Sequence, residues 1–203
     1  MGQRDRPFAW RSTGAAELLG VRFKPGSLSA FTAIPISRLL NRLVRAGEVL
    51  KVSIPELEDR MYQEVSDERR ISLVDHLLLD QLHHVGDPSP LIISAMDLIR
   101  RQPDVTSIQV ICHQTGLYYK KLERIFDTAV GYTPKQYCRL IRFNKAIRQM
   151  NRRKTLTRIG YDCGYYDQSH FIRDFHRYVG VSPRHFRPGE NTIADLLIRH
   201  QPV

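Results

Sequence analysis

Self-similarity constrains this chain more than any other feature. ICHQTG at residues 111 to 116 returns as IGYDCG at 159 to 164, an offset of 48, and one inserted residue then sets the offset at 49. In that register Leu122 pairs with Phe171, Arg124 with Arg173, Phe126 with Phe175, Gly131 with Gly180, Pro134 with Pro183 and Tyr137 with Phe186. Two copies are too few to stack into a solenoid, so the pattern predicts one small helical unit duplicated in tandem.

Each copy has the grammar of a helix-turn-helix. Ser107 or Thr155 is placed as the N-cap of a short helix, and a small residue, Cys112 or Gly160, stands where two helices approach. Gly116 or Gly164 then falls where the turn needs positive φ. In the second helix Leu122, Ile125 and Phe126, or Phe171 and Phe175, form the apolar stripe, which leaves the residues between them facing outward. Those are Tyr119, Lys120, Lys121, Glu123 and Arg124 in one copy. In the other they are Asp167, Gln168, Ser169, His170, Ile172, Arg173 and Arg177. Arg and Lys match guanine O6/N7, Gln matches adenine, Glu matches cytosine N4 and Ser suits several edges, so both faces are equipped for a major groove. A solvent-facing helix could carry the same side chains, and the duplication is what favours recognition.

Between the copies, KQYCRLIRFNKAIRQM (135 to 150) reads as a linker helix about 24 Å long. Its apolar positions Tyr137, Leu140, Ile141, Ile147 and Met150 are expected to hold the two units apart at a fixed spacing. Consecutive major-groove segments on one face of DNA lie ~34 Å apart, so one chain is expected to span two of them, bending the duplex if its own spacing falls short.

Ahead of the repeat the signals are less specific. LLGVRF, KPG and SLSAFTAI, within 17 to 34, predict a short β-hairpin, although two strands alone bury too little to be stable. From Pro35 the spacing of Ile36, Leu39, Leu40, Leu43 and Val44 predicts a helix closed by Gly47. Residues 67 to 84 predict a longer one, capped by Asp67, with Ile71, Val74, Leu77, Leu78 and Leu82 on one stripe. GDPSP at 86 to 90 breaks it, and a helix over about 91 to 102 follows, ended by Pro103. The fold class expected is therefore mainly α, with tandem helix-turn-helix units joined by a linker helix and preceded by a small α+β remnant. The domains expected are 1–88, 89–190 and a tail at 191–203.

Charge changes at the same break. Of 31 Lys/Arg and 21 Asp/Glu, residues 1 to 89 hold 12 of each, leaving 19 against 9 beyond. A basic block beside a neutral one suits a polyanion partner, because clustered cations release the counterions of phosphates. Three widely separated cysteines, Cys112, Cys138 and Cys163, read as reduced thiols of a cytoplasmic protein. His170 and His176 lie on different sides of a helix and make no metal pair. No nucleophile motif, phosphate loop or zinc signature points to an enzyme, and no cofactor or metal is expected. No apolar run reaches the ~18 residues that cross a bilayer.

The second unit, LTRIGYDCGYYDQSHFIRDFHRYVGVSPRHFR, carries a small residue after Ile, then G-aromatic-x-D-Q-S-x-F, then F, then G-x-x-P and an aromatic-Arg end. In this it closely resembles the AraC/XylS family of bacterial transcription regulators, over about residues 91 to 188. The first unit is similar to that family's more variable copy, with its one-residue-shorter turn. Tyr118 and Tyr166 stand where the family often has a Ser cap, so Asp167 is expected to cap the second recognition helix. Thr115 and Gly160 replace a common apolar residue and Ala. GVRFKPGSLSAFTAIP looks like the tail of a cupin-like sensor domain, which would make the chain a fragment or divergent short form. The resemblance implies a sequence-specific regulator in the cytoplasm, associated with the nucleoid, as monomer or homodimer. Its implied partners are double-stranded DNA, RNA polymerase if it activates, and a small-molecule effector of the truncated sensor domain. An effector-responsive protein-interaction module with weak DNA binding is the alternative.

Within that frame the base-contacting positions are Lys120, Glu123 and Arg124 on the first recognition helix and Gln168, Ser169, His170 and Arg173 on the second. Phosphate contacts fall to Ser107 and Thr155 at helix starts and to Lys121, Arg139, Arg152, Arg153, Lys154 and Arg177.

Overall fold

The computed structural model describes residues 3–7, 14, 19–50, 52–85, 89–101, 107–150 and 154–186. Among these, all regular structure is helical. Two 3-10 turns, Ser27–Ala30 and Ile36–Leu39, precede α1 (Ala46–Leu50), α2 (Ile54–Gln63), α3 (Asp67–Val85), α4 (Pro90–Arg101), α5 (Ile108–Thr115), α6 (Tyr119–Ala129), α7 (Pro134–Met150), α8 (Leu156–Asp162) and α9 (Gln168–Val179). The expected tandem pairs are α5 with α6 and α8 with α9, and α7 is the linker. Arg152, Arg153, the GDP of the expected break and the tail at 191–203 lie outside the described residues.

The hairpin expected over 17 to 34 does not form in the described part of that stretch. Residues 19 to 23 have no regular structure, and the second expected strand is the 3-10 turn at Ser27–Ala30. Local bonds explain the difference. Gly26 sits at φ 83, the Ser27 N–H donates to the Lys24 carbonyl at 3.0 Å, and the Ser29 hydroxyl donates to the Gly26 carbonyl at 2.6 Å. Backbone groups that a strand ladder would need are thus absorbed within the turn. Phe23 and Phe31, on the two sides of the turn, still meet, with ring centroids 5.0 Å apart.

The helix expected from Pro35 to Gly47 is also replaced. Asn41 takes a left-handed φ of 58 after the turn at Ile36–Leu39, which stops propagation, and Gly47 lies inside α1 rather than after a helix. At α3 the cap is Ser66, whose hydroxyl accepts from the Arg69 N–H, and Asp67 is already helical. None of the α3 side chains described is fully buried: Val74, Leu77, Leu78 and Leu82 are half-buried and Ile71 is exposed.

Two compact units interleave along the chain. One comprises Met1–Gln3, Trp10–Ile93 and Lys120–Thr133, the other Arg4–Ala9, Ser94–Tyr119 and Pro134–Val203. Both draw residues from either side of the break at 86 to 90. In the first unit Ile36, Leu39 and Val49 form a core edged by Leu28, Ile34, Val44 and Leu50. The same turn reaches the end of α6, where the Ser37 hydroxyl donates to Asp127 at 2.9 Å and a Cβ on Gly131 would come within 3.0 Å of the Ile36 backbone.

In the second unit α7, α8 and α9 share a core of Phe143, Ala146, Ile147, Ile159, Cys163, Tyr165, Phe171 and Phe175. Phe175 is its hub, set edge-on to Phe143, Phe171 and Phe186 with centroids 5.8, 5.9 and 5.4 Å away. A buried aromatic side chain of this kind contributes roughly 3–5 kcal/mol against truncation to Ala.

Three glycines separate backbone need from space. Gly116, at φ +66, has open space where a Cβ would go, so Gly116→Ala costs only the left-handed strain, about 1 kcal/mol. Gly131, at φ +78, adds the collision with Ile36, so Gly131→Ala costs about 2–4 kcal/mol. Gly160 is helical, and its Cβ would sit 3.8 Å from Phe171 and Tyr165, an ordinary contact; the helix approach there does not require glycine. Gly160→Ala therefore stabilises by about 0.5–1 kcal/mol. Urea titrations of the three variants check the order.

Candidate nucleic-acid interface

Helix α9 is fixed at both ends and along one side. Asp167 is its N-cap, accepting from the His170 N–H at 2.6 Å, and Gly180 ends it at φ 86 with its N–H on the His176 carbonyl at 2.9 Å. Phe171 and Phe175 are buried completely, which leaves Gln168, Ser169 and Arg173 exposed and Ile172 half-buried. His170 is half-buried, its ring 5.1 Å from the Tyr165 ring, so of these candidates it has the least freedom. The Gln168 side-chain oxygen accepts from the Thr157 hydroxyl of α8 at 2.8 Å. That bond orients the amide without burying it.

Helix α6 has the same division in the first copy. Leu122 and Phe126 are buried and Ile125 half-buried, Lys120 and Arg124 are exposed, and Lys121 and Glu123 are half-buried.

The expected phosphate contacts divide by what already holds them. Ser107 and Thr155 are the N-caps of α5 and α8, accepting from the Val110 and Arg158 N–H groups, and both stay exposed. Lys154 is paired with Asp162 at 2.6 Å and bonded to Gln149 at 3.2 Å, and Arg158 joins the same carboxylate at 3.0 Å. The Lys154 hydrogen bond holds the Asp162 carboxyl below the usual carboxylate range. Arg177 donates to Asp5 at 2.7 Å, and a Cβ on Gly180 would fall 2.7 Å from Pro7, so residues 5 to 7 lie against the end of α9.

Arg139 is engaged most deeply. It meets Asp174 at 2.6 Å, and Asp174 is 1% exposed although it belongs to the recognition helix. This ion pair fastens α7 to α9. Sequence reasoning missed it, yet a signal existed: 171, 174, 175 and 178 form one helical stripe, and an acid on an aromatic stripe demands a buried partner. Arg142, also on α7, donates to the Gly164 carbonyl at 3.0 Å and lies 5.2 Å above the Tyr165 ring, bracing the turn between α8 and α9. Burial, with Asp174 adding to it, pushes the Tyr165 phenol up. The Cys138 thiol, half-buried, is pushed by desolvation up to about 11 and stays protonated at neutral pH.

Beside α9 the second unit has a cleft of about 580 Å³. Lys135, Cys138, Arg139 and Arg142 of α7, His170 and Arg173 of α9 and the start of α5 line it. Among the described residues no three His, Cys, Asp or Glu side chains come together to hold a metal ion, and no helix is long and apolar enough to cross a membrane.

This is the geometry of a helix-turn-helix module with an outward recognition helix. Residues 111–189 match the family described as a helix-turn-helix domain, and residues 1–45 match a domain of unknown function (DUF6597). The chain is 32% identical over 89 residues to the HTH-type transcriptional activator RhaS of Shigella boydii serotype 18, covering 43% of this chain and 32% of that protein. RhaS of Escherichia fergusonii is 32% identical over 90 residues, with the same coverage, and RhaS of Salmonella arizonae is 33% identical over 87 residues, covering 42% and 31%. The matched region spans about a third of the length of these curated relatives. No solved structure matches the chain. Residues 111–189 thus carry a helix-turn-helix domain similar to that of the RhaS activators.

Breaking the α7–α9 ion pair from one side strands a buried carboxylate. Arg139→Gln is expected to cost about 3 kcal/mol, and adding Asp174→Asn to recover a large part of it. Denaturant midpoints of the two single variants and the double variant measure that coupling.

Proposed function

We propose that this protein is a sequence-specific double-stranded DNA-binding transcription regulator, with α6 and α9 reading adjacent major-groove segments. The observation that carries the reading is α9 itself. A helix capped at both ends and seated on a rigid aromatic base holds Gln168, Ser169 and Arg173 to solvent, residue types that match base edges. The counterpart positions Lys120 and Arg124 on α6 are exposed as well, which is what a duplicated reader requires.

Base contacts are assigned to Lys120, Glu123, Arg124, Gln168, Ser169, His170 and Arg173. Ser107, Lys121 and Thr155 are assigned to the phosphate backbone together with Arg152 and Arg153. Lys154, Arg139 and Arg177 join them only by exchanging or sharing their present carboxylate partners, so their contributions are smaller. RNA polymerase is the second partner if the protein activates transcription; the RhaS relatives are transcriptional activators. The region before the repeat is assigned to effector sensing, as part of a cupin-like domain. The site of action is the cytoplasm, on the nucleoid, as monomer or homodimer.

The test is binding to a randomised duplex library. Arg173→Ala is expected to relax preference at a few base pairs within one half of the selected site, at about 1–3 kcal/mol, and Arg124→Ala to do so in the other half. Uniform loss across all sequences in both variants would defeat the base-reading assignment.

A further inference from the structure

We infer that the cleft between α7, α9 and the start of α5 is a phosphate seat, and that it holds the DNA backbone beside the groove that α9 reads. The inference rests on the DNA-binding reading and adds a surface to it, because Lys135 and Arg142 have no place in the helix-turn-helix grammar.

Four observations support the seat. Lys135, Cys138, Arg139 and Arg142 are spaced i, i+3, i+4 and i+7, so they share one face of α7, and that face lines the cleft. Among the described residues the lining has four permanent cations and no carboxylate. Asp174, buried behind it, offsets only one of them, through its bond with Arg139. Cys138 adds no negative charge, since its thiol stays protonated at neutral pH.

Donors are also in surplus. The Nε–H groups of Arg139 and Arg142 are both buried and have no acceptor among the described residues. A guanidinium with an incomplete set of bonds loses little by turning another donor toward an oxyanion. Lys135 is exposed and makes no ion pair among the described residues, so its charge is available at once.

Continuity decides between two sources of phosphate. A cleft of this volume could also take a small phosphorylated compound. Two of its lining residues, however, are His170 and Arg173 of α9, one half-buried and one exposed toward solvent. A duplex whose bases meet α9 brings the phosphates of that groove's edge to the α7 face, where a free ligand would have to compete with them.

The experiment uses the full chain and two duplexes, the sequence it selects and a random one, each titrated over a range of salt. Lys135→Gln is expected to weaken binding to both by about five- to ten-fold at 0.1 M salt and to lower the slope of log K against log salt by about one, with sequence preference unchanged. Lys135→Glu should weaken it further. If neither Lys135 variant moves the slope on either duplex, the seat is overturned while base reading stands. If the wild type shows no preference yet Lys135→Gln lowers the slope, base reading fails and the seat survives. Pyrophosphate at constant ionic strength supplies the last arm. Pyrophosphate binding that is lost in Lys135→Gln, with an unchanged DNA slope, would assign the cleft to a free phosphorylated ligand and overturn the backbone assignment.

Discussion

Two phenylalanines one helical turn apart set everything that α9 presents. Phe171 and Phe175 are fully buried against α7, α8 and the Phe186 ring, so the helix cannot rotate about its axis without withdrawing an aromatic side chain from its core. With the buried side fixed, the 3.6-residue period places Gln168, Ser169 and Arg173 in solvent. The Arg139–Asp174 pair adds direction to this packing, since a carboxylate on the buried stripe accepts only a register that brings a guanidinium to it. Apolar packing supplies the strength, and the ion pair selects the alignment.

Caps and glycines complete the same device. Ser107, Thr155 and Asp167 each satisfy an N–H at a helix start, and Gly116, Gly164 and Gly180 each supply a left-handed turn. In both units pieces of the first 45 residues lie at the ends of the recognition helices. Ile36 and Ser37 meet Gly131 and Asp127, and Asp5 and Pro7 meet Arg177 and Gly180. The glycines that end the two helices are equivalent positions of the repeat, so the same feature of each copy receives an N-terminal contact.

The repeat was legible in the sequence because its marks have narrow physical requirements. A positive φ, an N-cap and a fully buried aromatic each admit few residue types, and two copies in register multiply the signal. The buried stripes, the caps at Ser107 and Thr155 and the extent of α7 followed from that pattern, and the cap at Asp167 from the family resemblance. The region before the repeat was less legible. Around Gly26 short-range hydrogen bonds outweighed strand alternation, and at Asn41 a single left-handed residue divided what the apolar spacing read as one helix. Within the site, charge alone could not separate Lys135, open to solvent, from Arg139, held by an acid 35 residues further on. Partners that distant become visible only once α7 and α9 are side by side.

Guanine N7 lies in the major groove, and its methylation blocks a protein side chain from that edge, so methylation interference on the selected duplex tests the tandem reader most directly. Two clusters of interfering guanines, about one helical turn apart on one face, are the result expected of paired recognition helices. A single cluster, or interference spread evenly along the duplex, would contradict it.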